Sequence, residues 1–247
     1  ILQKKNYWVN TLALSLNHLN KQIVGTLKMN NFTIVSFCSF DYVEVAQNWV
    51  SHLRMHNITN YVIIALDDET YDCLNENNIN TKLVHGKILK RSGTGWKFRF
   101  QTMYELLKEG NILHCDLDAI WLKDASNLLD DEHDIIASRD EGGWPPKAYE
   151  HLNFTMCMGW VFFRNNDNVK SIFEKILEKE SDFDDQEEFN EYIVDNLKDN
   201  NIYYKNENER ILEVDNVKVR VLNETDVFRG NYNEASYVCH PVNKKTS

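Results

Sequence analysis

Asn111-Ile-Leu-His-Cys-Asp-Leu-Asp-Ala-Ile-Trp-Leu-Lys-Asp124 is the stretch on which the reading of this chain turns. Its first five residues, with Ile112, Leu113 and Cys115 among them, read as a buried strand. That strand ends in Asp116-Leu117-Asp118. Two carboxylates at i and i+2 of an extended chain point the same way. At the C-terminal end of a strand in an α/β sheet they would project into the crevice where such sheets bind ligands. Charges placed directly after a buried run need a partner, and a hard divalent cation is the natural one. The bland alternative is a pair of solvated turn residues. Ala119-Ile-Trp-Leu122 reads as a continuation of the strand, with a short helix over 124–130.

Working outward, strands alternate with helices. Phe32–Cys38 is a β-rich run, and Val43, Ala46, Val50 and Leu53 then recur at helical spacing. Tyr61–Leu66 is a second strand, 68–78 a polar helix, and Lys82–Val84 a weak third strand. Residues 85–95 read as a basic, Gly-containing loop, followed by a helix over Trp96–Lys108. After the central stretch come a strand at His133–Ser138 and a loop over 139–153 carrying Gly142-Gly143-Trp144-Pro145-Pro146. Met156–Arg164 is a strand, and 166–180 and Asp184–Leu197 are helices. Short strands at 202–204, 217–222 and 237–240 close the chain. Continuous apolar strands alternating with helices predict a mostly parallel sheet covered on both faces. No Gly-rich phosphate loop follows the first strand, so neither a Walker A nor a dinucleotide fingerprint is present. The 247 residues fit one large domain or two small ones. No Pro-, Gly- or Ser-rich linker divides them. The expectation is one α/β domain over 31–247, preceded at 1–30 by an amphipathic helix built on Leu12, Leu16, Leu19, Ile23 and Leu27.

Lys and Arg number 27 against 38 Asp and Glu, a net charge of −11. Gripping a nucleic-acid backbone needs clustered Lys and Arg, so nucleic acid is excluded as the partner. No run of about 18 apolar residues reads as a membrane span. The five cysteines form no C-x-x-C pair, and Cys38, Cys115 and Cys157 sit in apolar runs as core residues. Their usage leans towards a reducing, cytoplasmic compartment. The chain begins at Ile1 and could be a fragment. A Golgi lumen stays open if an N-terminal anchor was removed. Sequons at Asn31, Asn57, Asn153 and Asn223 do not decide it, in a chain this rich in Asn.

Trp96–Asp124, with its Asp116-Leu-Asp-Ala-Ile-Trp-Leu-Lys-Asp124, resembles the metal-site region of the nucleotide-diphospho-sugar transferases. The likeness is to glycosyltransferase family 77 and the glycogenin-like family. Asn48-Trp49, Ile63-Ile-Ala-Leu-Asp67, Gly159-Trp-Val-Phe-Phe-Arg164, Asp185-Gln186 and Phe189-Asn190 match in the same order. The resemblance implies a GT-A fold, a nucleotide-sugar donor (a UDP-sugar) and Mn²⁺ or Mg²⁺ held by Asp116 and Asp118. It implies His240 as a third ligand and Lys244 as a phosphate contact, although the family's Gly between these two is absent. It places Asp185 and Gln186 beside the sugar as catalytic residues, with retention of configuration. A glycan or glycoprotein hydroxyl would be the acceptor.

Lys87, Lys90 and Arg91 in the loop, and Lys97 and Arg99 at the following helix start, would meet the diphosphate, where a helix N-terminus favours an anion. Leu117 lies between the two ligands at the donor. Phe37, Ser39 and Tyr42, just after the first strand, are candidates for base and ribose contact. Trp144 is the acceptor-site candidate, whereas Trp160, on a strand, reads as core. Asp184 could simply cap its helix. Two other readings are open. One is a haloacid-dehalogenase-type phosphohydrolase with Asp116 as nucleophile, whose D-x-D would open the sheet. The other is a nucleotide-sugar-binding protein without catalysis.

Overall fold

The computed structural model describes residues 32–84, 93–179, 183–204, 209–230 and 234–241. The helix expected over 1–30 lies outside the described residues, as do Lys87, Lys90, Arg91, Lys244 and Lys245. Residues 32–247 cluster as one unit. Strand β1 (Phe32–Cys38) leads through a short 3₁₀ turn (Phe40–Tyr42) into helix α1 (Val43–Met55). β2 (Tyr61–Ala65), α2 (Asp68–Glu76) and β3 (Thr81–Leu83) follow, then α3 (Gly93–Glu109) and β4 (Asn111–Cys115). β5 (Ile120–Trp121) precedes β6 (Ile135–Asp140), α4 (Pro146–Leu152), β7 (Thr155–Phe163), α5 (Asp167–Leu177) and α6 (Asp185–Asn196). The chain ends in β8 (Leu197–Tyr204), β9 (Arg210–Val214), β10 (Val217–Val221), β11 (Val227–Arg229) and β12 (Val238–His240).

The main sheet has nine strands in the order β3-β2-β1-β4-β7-β6-β10-β9-β8. Every strand in it except β7 and β9 runs the same way. The expected α/β architecture is therefore what the structure shows, with helices against a mostly parallel sheet. β7 is antiparallel to both neighbours. Its nine residues are all buried, so their hydrophobicity carries no mark of direction.

Two local readings are corrected, and one hairpin is added. Ala119–Leu122 does not prolong β4: a tight turn intervenes, and β5 joins a second sheet of order β11-β12-β5. The 139–153 loop contains helix α4, started by Pro146 at its first turn and ended by Asn153 at φ 59°. β9 and β10 form a hairpin whose two turn residues, Asp215 and Asn216, are both left-handed, as a two-residue hairpin turn requires.

One face of the sheet packs on α3, α5 and α6 through Phe100, Met103, Phe173, Ile176, Phe189 and Ile193. Phe173 stacks on Phe100 at 4.3 Å and meets Phe163 of β7 edge-on at 4.8 Å. On α1, Trp49 and Leu53 are buried, Trp49 meets Tyr61 edge-on, and His52 Nδ1 lies 3.2 Å from the Trp121 carbonyl of β5. Both anchors matter for function. The first holds the N-termini of α3 and α6 at the C-terminal end of β4. The second holds the small sheet that carries His240.

Candidate active site

Chain reversal after β4 creates the site. The Asp116 N–H donates to the Gly159 carbonyl of β7 at 2.9 Å, and the Ala119 N–H donates back to the Asp116 carbonyl at 3.0 Å. The second bond closes a four-residue turn with Asp in its favoured first position. The two carboxylates thus sit on a turn rather than on extended strand, and converge by another route. Leu117 between them is buried and anchors the turn. β5 then pairs with β12, Ile120 opposite Cys239. That pairing carries His240 to the turn: Nε2 lies 3.1 Å from Asp118 Oδ1 and 3.6 Å from Asp116 Oδ2. Ligand atoms of Asp116, Asp118 and His240 all lie within 4.8 Å of one another, a grouping that could hold a metal ion. Two carboxylates and an imidazole suit a borderline-hard divalent cation such as Mn²⁺ or Mg²⁺.

A second layer comes from α3 and α6. Asp184 caps α6, accepting from the Gln186 and Glu187 N–H groups. Asp185, one residue on, turns inward and is 2% exposed. Arg99 grips it with a fork, Nε to Oδ2 at 2.6 Å and Nη2 to Oδ1 at 2.7 Å. The remaining nitrogen, Nη1, reaches Asp116 Oδ1 at 3.2 Å. Trp96 stacks under the guanidinium at 4.3 Å. One arginine therefore fixes the distance between the metal-site carboxylate and the buried one, which a Lys could not do. Burial works against charge on Asp116, but Arg99, His114, His240 and Arg229 together hold the carboxyl below its ordinary value. Burial raises Asp185 to about 6, with Arg99 pulling the other way. Behind them His114 is buried, and its Nδ1–H donates to the Met158 carbonyl at 2.5 Å. Burial first, then Arg99, lowers its pKa to about 4, so it is neutral.

Helix α6 is fastened to β7 by side-chain amides. Asn190 accepts from the Met156 N–H and donates to the Met156 carbonyl, both at 2.8 Å, imitating a strand partner. Met156 lies beyond the last β4–β7 pair, Cys115 opposite Trp160, where β4 offers β7 no partner. Gln186 accepts from the Met158 N–H at 3.3 Å and donates to the Trp144 carbonyl at 3.1 Å. Its amide is engaged with backbone at both ends. Trp144 itself is 47% exposed on the loop so held.

The structure brings Asp116, Leu117, Asp118, His240, Asp185 and Gln186 to one place. Phe37 stands beside it, its ring 5.8 Å from that of His114. Ser39 and Tyr42 lie in the turn after β1, where Tyr42 and Phe40 are exposed and the Phe40 N–H donates to Asp67 at 3.3 Å. Lys97 goes elsewhere. It donates to the Lys179 carbonyl and stands over the Phe183 ring at 5.9 Å, because two residues on a helix separate it from the face that Arg99 presents. Trp160 is fully buried, as a core residue. Arg91 and Lys244 fall outside the described residues. The sequence reading left unassigned the Arg99 fork, Asn190, and Gly159, whose bare Cα is faced by His240 and Asp116. A lone Gly in a buried strand is itself a signal of close approach.

The profile of the nucleotide-diphospho-sugar transferases matches residues 56–246, most of the chain, with Arg99, Asp116, Asp118, Asp185, Gln186 and His240 inside it. The chain belongs to that family. Among relatives in Arabidopsis thaliana, the beta-arabinofuranosyltransferase RAY1 is 24% identical over 163 residues, covering 60% of this chain and 30% of that protein. The UDP-D-xylose:L-fucose alpha-1,3-D-xylosyltransferase MGP4 is 24% identical over 178 residues, covering 64% and 49%. The chain thus spans half or less of the length of these two relatives. Similar solved structures include the galactosyltransferase LgtC with donor and acceptor sugar analogues, at TM-score 0.46 and 12% identity over 64% of this chain and 68% of that one. An inositol-1-phosphate CTP transferase from T. maritima gives TM-score 0.49 and 11% identity over 85% and 87%.

Proposed function

We propose that the protein is a divalent-cation-dependent glycosyltransferase that moves a sugar from a UDP-sugar to a hydroxyl of a glycan or glycoprotein, with retention of configuration. The observation that carries this reading is the convergence of Asp116, Asp118 and His240 at the end of β4, with Asp185 held beside them by Arg99. Asp116, Asp118 and His240 would hold Mn²⁺ or Mg²⁺. When bound, the cation supplies Lewis-acid neutralisation of the diphosphate. The chain's own groups do the rest. Arg99 fixes Asp185 in one orientation, so its carboxylate presents charge to the sugar without reorganising. Gln186 pins the Trp144 loop over α6. The exposed Phe40 and Tyr42 offer faces for the nucleoside. A D-x-D directly after the fourth strand in chain order, an interior strand of the sheet, disfavours the phosphohydrolase, whose motif would open it. The intact carboxylate set weighs against a merely binding protein.

Both named relatives transfer pentoses, so UDP-xylose and UDP-arabinofuranose head the donor panel. UDP-galactose, UDP-glucose and GDP-sugars complete it. Incubation with Mn²⁺ should release nucleoside diphosphate from at least one donor. Absence of both turnover and binding with every donor would refute the proposal.

Two further outcomes are expected. Trp144→Ala should raise the acceptor KM about three- to tenfold and leave the donor KM unchanged, the worth of one ring stacked on a sugar face. An equal change in both would place Trp144 elsewhere. Asp185 is needed as the carboxylate, and its pKa is raised to about 6. Turnover should therefore fall as pH drops through about 6 and level off above it. A profile flat to pH 4.5 would remove Asp185 from the reaction.

A further inference from the structure

Two large aromatic rings stand exposed on the loop and helix that follow β6. Trp144 is 47% exposed and Tyr149 37%. A Cβ on Gly143 would stand 4.0 Å from Tyr149 Cγ, so the Tyr149 ring rests against the residue before Trp144. Gly143 is left-handed at φ 75°, which costs a residue without a side chain nothing. The backbone under both rings is fastened. Ala148 and Leu152 are buried, which fixes the inward face of α4 and turns Tyr149 outward. Lys147 ties α4 to Asp195 of α6 at 2.8 Å. Gln186 donates to the Trp144 carbonyl at 3.1 Å, and its chain neighbour Asp185 lies in the site, gripped by Arg99. A continuous line therefore runs from Asp185 through Gln186 and Trp144 to Tyr149.

Besides Pro146, the other exposed residues of this loop and helix are Glu141, Gly142, Lys147, Glu150 and His151. No exposed aliphatic side chain joins the two rings on this segment, as the desolvated core of a protein–protein contact would require. Flat aromatic faces in a polar surround suit a sugar chain, whose C–H faces stack while its hydroxyls stay in water. The carboxylates here, of Glu141, Glu150, Glu191 and Asp195, outnumber the cations of Arg139 and Lys147, which disfavours an anionic glycan. We propose that Tyr149 forms an outer acceptor subsite that takes the sugar next to the one on Trp144, so that the acceptor is a neutral oligosaccharide of two or more sugars. This rests on the transferase reading above and on Trp144 as its acceptor contact. The sugar chain leaves Asp185 along α4, and its second unit adds affinity without touching the reacting hydroxyl.

The test is an acceptor series of graded length. Neutral mono-, di- and trisaccharides of galactose, xylose, arabinose and fucose, in α and β linkage, are offered with the donor that turns over. Going from one sugar to two should lower the acceptor KM about three- to tenfold, the worth of one further stacked ring. Tyr149→Ala should erase that gain and bring the disaccharide to the KM of the monosaccharide. Tyr149→Phe should keep it, because the ring face and not the hydroxyl is used. Trp144→Ala should raise both values and leave their ratio unchanged. A wild-type KM that is independent of length overturns the inference. So does a rise in Tyr149→Ala that is equal for one sugar and two, or transfer to none of these sugars. Each of those results leaves the transferase reading standing, because a donor still turns over. Absence of turnover and binding with every donor removes that reading, and this inference with it.

Discussion

Asp118→Ala is expected to lower metal-dependent turnover of a nucleotide-sugar by at least about a thousandfold, the scale lost when a principal charge-stabilising group is removed. The three candidate ligands are not equivalent. Asp116 already shares Oδ1 with Arg99 at 3.2 Å, so part of its charge is committed to the guanidinium. His240 is hemmed between Asp118 and Arg229. Among the described residues Asp118 has no ion pair besides that with the imidazole, and it is the most exposed of the three. It is the carboxylate freest to face a cation. Its loss leaves one shared carboxylate and one imidazole, too few for an ion that prefers several oxygens. The fold should not suffer, because the turn is held by backbone bonds and by buried Leu117. Initial rates and Mn²⁺ titration, with a melting curve as control, check this. Turnover within tenfold of wild type at an unchanged melting temperature would take Asp118 out of the site.

The parts of this fold that sequence reveals are those where one residue type has one physical meaning. Phe32–Cys38, Tyr61–Ala65 and Asn111–Cys115 are mostly apolar or β-forming runs of strand length, and all three are strands. β7 is legible as a strand but not as an antiparallel one, because burial on both faces erases any directional pattern. Asp184 and Asp185 separate along the same logic. A carboxylate before a helix reads as a cap, which Asp184 is. The buried partner that fixes the role of Asp185 lies 86 positions away on α3. Arg99 itself reads as one more basic residue near a helix start. Its neighbour Lys97 looks equivalent in sequence, yet faces another way by the geometry of the helix. His240 is readable as a late histidine on an apolar strand. What makes it part of the site is the pairing of β12 with β5, a two-residue strand that reads in sequence as a continuation of β4. The asymmetry is general here: local period yields elements, whereas the site is assembled by pairings across the chain.

Gly159→Ala is the most economical test of that assembly, and is expected to weaken Mn²⁺ binding about 10- to 100-fold with a matching loss of donor affinity. A Cβ at this position would lie 2.1 Å from His240 Cε1, 2.7 Å from His240 Nδ1 and 2.7 Å from Asp116 Oδ2. Neither neighbour can step aside cheaply. The imidazole is 5% exposed on a paired strand, and Asp116 is tied through its own N–H to the Gly159 carbonyl. The methyl group must therefore push apart the two ligands whose separation defines the site. Gly110→Ala supplies the control, since nothing lies within 4 Å of a Cβ there. It should leave both affinity and turnover at wild-type levels. If Gly159→Ala melts with the wild type, the loss is assigned to ligand geometry. Wild-type Mn²⁺ affinity in that variant would mean that His240 and Asp116 do not share a cation, since a site built on both cannot absorb an atom placed between them.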